Sequence, residues 1–144
     1  MFIIIKLLFL ILFIQDASGI HHHKRVSQNF LIGTPFFWKN RIIVLNLTDF
    51  EYEKIKDDFV KKKCEITNRK LKIFVNKNNS FVDLDDSKRK VLPDFKFKFK
   101  ITLIGIDGGI KYQSNILESF ERYFNLIDEM SLRQTEFKDD LNCN

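Results

Sequence analysis

Arg41-Ile-Ile-Val-Leu-Asn-Leu-Thr-Asp-Phe-Glu51 decides how the chain reads. After Arg41 its next four residues form a continuous, largely β-branched apolar run, the pattern of a strand covered on both faces. Thr48 and Glu51 then stand three apart, the spacing of a capping box in which each side chain accepts the other residue's backbone N–H. A helix is predicted from there to about Cys64. Tyr52, Ile55, Phe59 and Val60 fall on its apolar side, with Lys54, Lys56 and Lys61 to Lys63 mostly on the wet side. Beyond it Leu71, Ile73 and Val75 alternate with Lys72 and Phe74, a second strand that ends within Asn76 to Ser80. Strand, helix, strand implies a right-handed crossover and parallel pairing.

Further along, Phe81 to Pro93 reads as a loop with a short helix around Asp86 to Val91. Phe95-Lys-Phe-Lys-Phe-Lys-Ile-Thr-Leu-Ile-Gly-Ile106 reads as one long strand, alternating in its first half and apolar throughout its second. Asp107-Gly108 is a hairpin signal that returns the chain antiparallel along Ile110 to Gln113. Asn115-x-x-Glu118 is expected to cap a final helix with Leu117, Phe120, Phe124, Ile127 and Met130 as its buried stripe. The order β-α-β, β-hairpin, α predicts an α/β domain with a mixed sheet and helices on its faces. That order is the core of a thioredoxin-like fold, and other small α/β folds share it.

Toward the N-terminus, Phe2 to Ile5 and Leu7 to Phe13 are apolar around the single charge Lys6, and Ala17-Ser18-Gly19 follows Gln15-Asp16. A short apolar run ending in small residues is a signal-peptide pattern. It falls short of the about 20 apolar residues that an uncleaved anchor needs. The expected organisation is a leader over residues 1–19, a tail over 20–35, one domain over 36–137 and a short tail over 138–144. In the loop Pro35-Phe36-Phe37-Trp38 the aromatics are expected to pack onto the domain. Loss of the leader removes Lys6 and Asp16 together, so the net charge of +5 is unchanged. A secreted, moderately basic protein is expected, suited to acidic partners without requiring them. Nucleic acid, and a membrane after cleavage, are not expected partners.

Three segments together carry a family resemblance: Trp38-Lys-Asn-Arg-Ile-Ile-Val44, Thr102-Leu-Ile-Gly-Ile-Asp-Gly-Gly-Ile-Lys111 and Leu126-Ile-Asp-Glu-Met-Ser-Leu-Arg-Gln-Thr-Glu136. The chain resembles the domain of unknown function 4174 family over about Phe36 to Glu136. Members are small exported bacterial proteins and animal extracellular proteins of the sushi-repeat and coiled-coil-domain-containing 80 type. The resemblance implies a thioredoxin-like fold, matrix or adhesion association in the animal members, and no known catalytic mechanism. Ser131 and Gln134 depart from the family, which usually has Pro and a second Arg there.

Redox thioredoxins place paired cysteines where the first helix begins, because the helix dipole lowers a thiol pKa there. Here that place reads Asn46-Leu-Thr-Asp-Phe-Glu51, without cysteine. Lys100 occupies the position where those enzymes carry a proline. Two-cysteine disulfide exchange is excluded on this count. Cys64 and Cys143 are the only cysteines, and an even number in an oxidising compartment favours a bridge. A free reactive thiol and intermolecular pairing are the alternatives. The animal members of the resembled family also carry cysteines near these places.

His21, His22 and His23 are the only histidines, so histidine triads and folded histidine metal sites are excluded by inventory. Cleavage after Gly19 or Ser18 would make His22 or His21 the third residue, where a free amine and imidazole can wrap Cu(II). The plain alternative is a solvated tail with adventitious metal affinity. No cofactor is expected, and no carboxylate pair is placed for acid–base work. Asn46 and Asn78 stand in glycosylation sequons. Lys96, Lys98 and Lys100, extended upstream by Lys88, Arg89 and Lys90, would form a cationic stripe on a strand, about 7 Å between successive lysines. Such a stripe suits an extracellular polyanion or simply protects a sheet edge from aggregation. The expected function is a secreted, non-catalytic binding or matrix-associated module. The alternative is a single-thiol, peroxidase-like enzyme using Cys64.

Overall fold

The computed structural model describes residues 33–77, 80–86, 96–136 and 142–143, and the backbone of 89–90. The leader, His21, His22, Asn78, Lys88 and Phe95 lie outside the described residues.

Strand β1 (Arg41–Leu45) is buried at every position, as the apolar run Ile42 to Leu45 requires, and Arg41 is buried with it. Thr48 caps helix α1 (Asp49–Lys61) with both halves of the capping box formed. The helix stops at Lys62 and restarts as α2 (Lys63–Asn68), so Cys64 opens the second helix and does not close the first. Val60 is exposed, since only Ile55 and Phe59 of the apolar set lie fully under the sheet side of α1. Strand β2 (Leu71–Lys77) pairs parallel with β1 in register Arg41 to Leu71 through Leu45 to Val75.

The next segment corrects the sequence reading. Ser80–Asp83 forms strand β3, antiparallel to β2, and Arg89–Lys90 forms a short strand β4 beside it. The expected short helix around Asp86 to Val91 is absent from the described part of that segment. Burial decided this: Phe81 packs edge-on against Phe97, at 5.6 Å between ring centroids, which holds the segment extended within the sheet.

Strand β5 (Ile101–Ile104) is shorter than expected and pairs antiparallel with β1, while β6 (Ile110–Ser114) returns beside it through the Asp107-Gly108 turn. Gly108, at φ 77°, takes the left-handed conformation this turn needs. Helix α3 (Phe120–Asp128) begins after Ser119, not at Asn115, and α4 (Ser131–Gln134) follows an extended Met130. Strand order is β4-β3-β2-β1-β5-β6, a mixed six-stranded sheet consistent with a thioredoxin-like arrangement.

All the larger helices share one face. Ile43, Leu45, Ile73, Val75, Ile101 and Leu103 pack there against Ile55 and Phe59 of α1, Ile66 of α2, and Phe120, Tyr123, Phe124 and Ile127 of α3. The opposite face buries Ile42, Val44, Phe74 and Ile104 under Phe81 and Phe97, with Phe36 and Phe37 packed against them. Among the described residues, Phe97 and the segment before β1 pack on that face. Trp38 does not join them; it is exposed, at φ 57°.

Candidate functional site

The two ends of β1 carry most of the organised polar chemistry. At its C-terminal end, where a redox thioredoxin would hold its cysteines, the Asn46 amide nitrogen donates to Phe97 O at 2.9 Å and Phe99 O at 2.6 Å. Its carbonyl oxygen accepts from Asn76 Nδ2 at 2.9 Å, and its backbone N–H donates to Lys100 O at 2.8 Å. Asn46 thus takes the carbonyls that a longer strand would have offered to the ladder, and residues 96–100 are not a strand for that reason. Its side chain is consumed in this clamp.

The lysine stripe changes accordingly. Lys96 and Lys98 are exposed on an irregular segment, with Phe97 buried between them. Lys100 turns to Glu51 at 2.5 Å. The Lys100 bond, then the Thr48 backbone N–H, hold the Glu51 carboxyl down to about 2. Lys77 Nζ sits 3.5 Å from the centre of the Tyr52 ring in the same corner. Arg89 and Lys90 lie on the edge strand β4, and Lys88 is outside the described residues.

Cys64 and Cys143 form a disulfide with 5.6 Å between their Cα atoms. The bridge closes 79 residues of sequence and brings the C-terminal segment beside Asn68, whose Nδ2 lies 3.1 Å from Cys143 Sγ.

The N-terminal end of β1 is built differently. Arg41 is fully buried, although it begins a strand and carries a permanent charge. Its Nη1 donates to Arg69 O at 3.0 Å and to Glu136 Oε2 at 2.9 Å. Arg133, also buried, donates from Nε to Asp128 Oδ1 at 3.2 Å and from Nη1 to Asn68 O at 3.0 Å. Arg69 grips the same carboxylate from Nε and Nη2, at 3.1 and 2.5 Å, while its guanidinium lies 4.3 Å from the centre of the Phe124 ring. Lys70 reaches Glu136 Oε1 at 3.3 Å. Three arginines and one lysine therefore converge on two carboxylates among the described residues.

A cleft of about 160 Å³ opens beside this cluster, lined by Arg41, Gly105, Ile106, Asp107, Lys111, Met130, Ser131 and Leu132. Its hairpin wall is shaped by a register shift between β5 and β6: Leu103 faces Tyr112 and Ile104 faces Ile110, leaving Lys111 without an opposite residue. A bulge of this kind re-aims a side chain, and here Lys111 Nζ reaches back to Asp107 Oδ2 at 2.7 Å. Burial raises the Asp107 carboxyl, but the bonds from Lys111 and the Gly109 N–H outweigh it and leave the group below its ordinary value. A Cβ on Gly105 would meet Lys111 Cε at 2.4 Å, so the bare glycine is what lets the lysine lie across the turn.

Sequence reasoning passed over Arg41, Arg69, Asp128, Arg133 and Glu136 as site residues. The available signal was an arginine heading an otherwise apolar, doubly covered strand, where a charge needs a built partner. Among the described residues no group of three or more histidine, cysteine, aspartate or glutamate side chains is placed to hold a metal, and no helix is long and apolar enough to cross a membrane.

The architecture defines a small α/β domain of thioredoxin-like arrangement whose usual redox corner is occupied by a cap, a clamp and an ion pair. Residues 34–136 match the model of the domain of unknown function family DUF4174, and the chain belongs to that family. No curated protein and no solved structure matches it.

Proposed function

We propose that the chain is an exported, non-catalytic binding module. The observation that carries this reading is the state of the corner around Asn46, Thr48, Glu51 and Lys100. Its polar groups are spent on one another, and it holds neither a thiol nor a proline at Lys100. The single-thiol alternative is disfavoured by the Cys64–Cys143 bridge, which leaves neither sulfur as a nucleophilic thiolate. The apolar run Phe2 to Phe13 supports export, which is also the setting in which such a bridge persists.

The reading is tested by assaying secreted, oxidised protein for insulin reduction and for peroxide consumption. No turnover above a heat-denatured control is expected. Turnover that vanishes in Cys64→Ser overturns the proposal in favour of a thiol enzyme. An extracellular polyanion or matrix partner would meet Lys96 and Lys98, the exposed lysines of the irregular segment. Heparin retention against salt, wild type beside Lys96→Ala/Lys98→Ala, measures their share; coincident elution at low salt removes the polyanion from consideration.

A further inference from the structure

We infer that the cleft between the β5–β6 turn and the α3–α4 junction is a binding site for a small carboxylate with an aliphatic body, seated on the free edge of Arg41. The inference deepens the reading of the domain as a binding module by naming a ligand class, and it rests on that reading.

Arg41 supplies the first observation. Its side chain is fully buried, and its Nη1 is satisfied, yet Nε and Nη2 are buried without any hydrogen-bond partner. Those two atoms carry three N–H donors, two of them parallel along one planar edge. Folded proteins leave few buried polar atoms unpaired, and an unpaired charged donor is the most costly kind. The Nε–Nη2 edge has the geometry that accepts two carboxylate oxygens in parallel.

The second observation is the cleft itself. Arg41 is one of the residues that line it, and its Nε and Nη2 are buried there without partners. Ile106, Met130 and Leu132 make the remaining wall largely apolar. Lys111 stands at the rim, its charge balanced by Asp107. An apolar wall beside one fork-shaped donor favours a carboxylate on a short hydrocarbon over a fully hydrated inorganic anion.

The third observation is the charge around the fork. Glu136 Oε2 accepts from Arg41 on the opposite edge, and Lys70 shares the same carboxylate. Arg133 Nη1 also lies 3.6 Å from Glu136 Oε2, so Arg41 divides this carboxylate with two further cations, and the local balance among the described residues favours an added anion. Neither a free acid nor the carboxyl terminus of a peptide is distinguished by this chemistry, because both present the same group.

The experiment uses the full oxidised chain, observed by ¹H–¹⁵N correlation spectra that include the arginine Nε–Hε signals. The probes are 3-methylbutanoate, its neutral amide, and acetyl-Ala-Leu with a free or amidated terminus. Saturable shifts of Arg41 Nε–Hε and of the Gly105 and Leu132 amides are expected with the free carboxylates, in the millimolar range typical of so few ligand atoms. The neutral amides are expected to bind at least about tenfold more weakly. Leu132→Glu, an exposed rim change that leaves the arginine cluster intact, is expected to weaken binding several-fold. Arg41→Lys is expected to abolish it, with a native spectrum elsewhere showing that the variant folds. The free acid and the peptide are then ranked by affinity, which names the source.

Equal binding of acid and amide would reduce the site to an apolar groove and overturn the inference. So would an Arg41 Nε–Hε signal that does not respond to any carboxylate, which would mean that an ordered water alone completes the edge. Either result leaves the non-catalytic reading standing, whereas insulin or peroxide turnover would sink that reading without touching the titration.

Discussion

The two ends of β1 lie five residues apart, about 17 Å along a strand, and they treat charge in opposite ways. At the Asn46 end Lys100 and Glu51 are partly exposed, paired one to one, and joined to a helix cap. At the Arg41 end, Arg41 and Arg133 are buried, two carboxylates are shared among four cations, and one buried guanidinium edge has no hydrogen-bond partner. The first arrangement is closed and local; losing a piece of it leaves water to take over. The second cannot hand its charges to water, so each carboxylate there is a condition of folding and each open donor a candidate contact.

The widest test of that contrast is the Cys64–Cys143 bridge, which sets Cys143 beside Asn68 at the arginine end. Opening the Cys64–Cys143 bridge, by reductant or as the Cys64→Ser/Cys143→Ser pair, frees a loop of 79 residues of separation. Chemical denaturation should show a loss of about 4 kcal/mol on the chain-entropy model. A loss within error of zero would mean that the tail is not needed to hold the Asn68 and Arg133 side in place.

Glu136→Ala comes next. It strips buried Arg41 of its carboxylate partner among the described residues, and a buried charge left without one should cost about 3 kcal/mol in the same assay. A cost below that of an ordinary surface change would make the arginine end as forgiving as the other and erase the distinction. Thr48→Ala, at the closed end, removes one half of the capping box and should cost about 1 kcal/mol.

The smallest effect is the most specific. Lys100→Met should cost about 0.5 kcal/mol near neutral pH, because the pair it breaks is partly exposed. Glu51 is depressed in the fold from 4.5 to about 2. Its contribution is therefore complete above 4.5 and is lost as pH falls from there through about 2. Stability curves of wild type and Lys100→Met should converge across that window, and an NMR titration should return Glu51 toward its ordinary value in the variant. Parallel curves down to pH 2 would separate the ion pair from the shift.

What could be read in advance followed from local rules. The capping box at Thr48 and Glu51, the β1–α1–β2 unit and the Asp107-Gly108 hairpin are each encoded within a few residues. The failures share a different cause. Phe81 to Asp83 looked like loop, and became a strand because Phe97 and Phe74 covered it from elsewhere in the chain. The alternation from Phe95 to Lys100 looked like a strand, and was withheld from the ladder by one side chain, Asn46.

The candidate site repeats the lesson at longer range. The chain alone showed that no cysteine stands at the start of the first helix, where thioredoxin-type exchange places its pair, and that its histidines are confined to residues 21–23. It also determined that β1 and β2 pair parallel and that β5 and β6 pair antiparallel, through the lengths of the connections. Only the tertiary structure decided that Arg41, Gly105 to Lys111 and Met130 to Leu132 share one cleft, and that Cys64 meets Cys143. Periodicity says which side of an element is wet. Whether a charge on the dry side finds a partner depends on residues 28 to 95 positions away, as Arg41 does with Arg69 and Glu136, and no local pattern carries that distance.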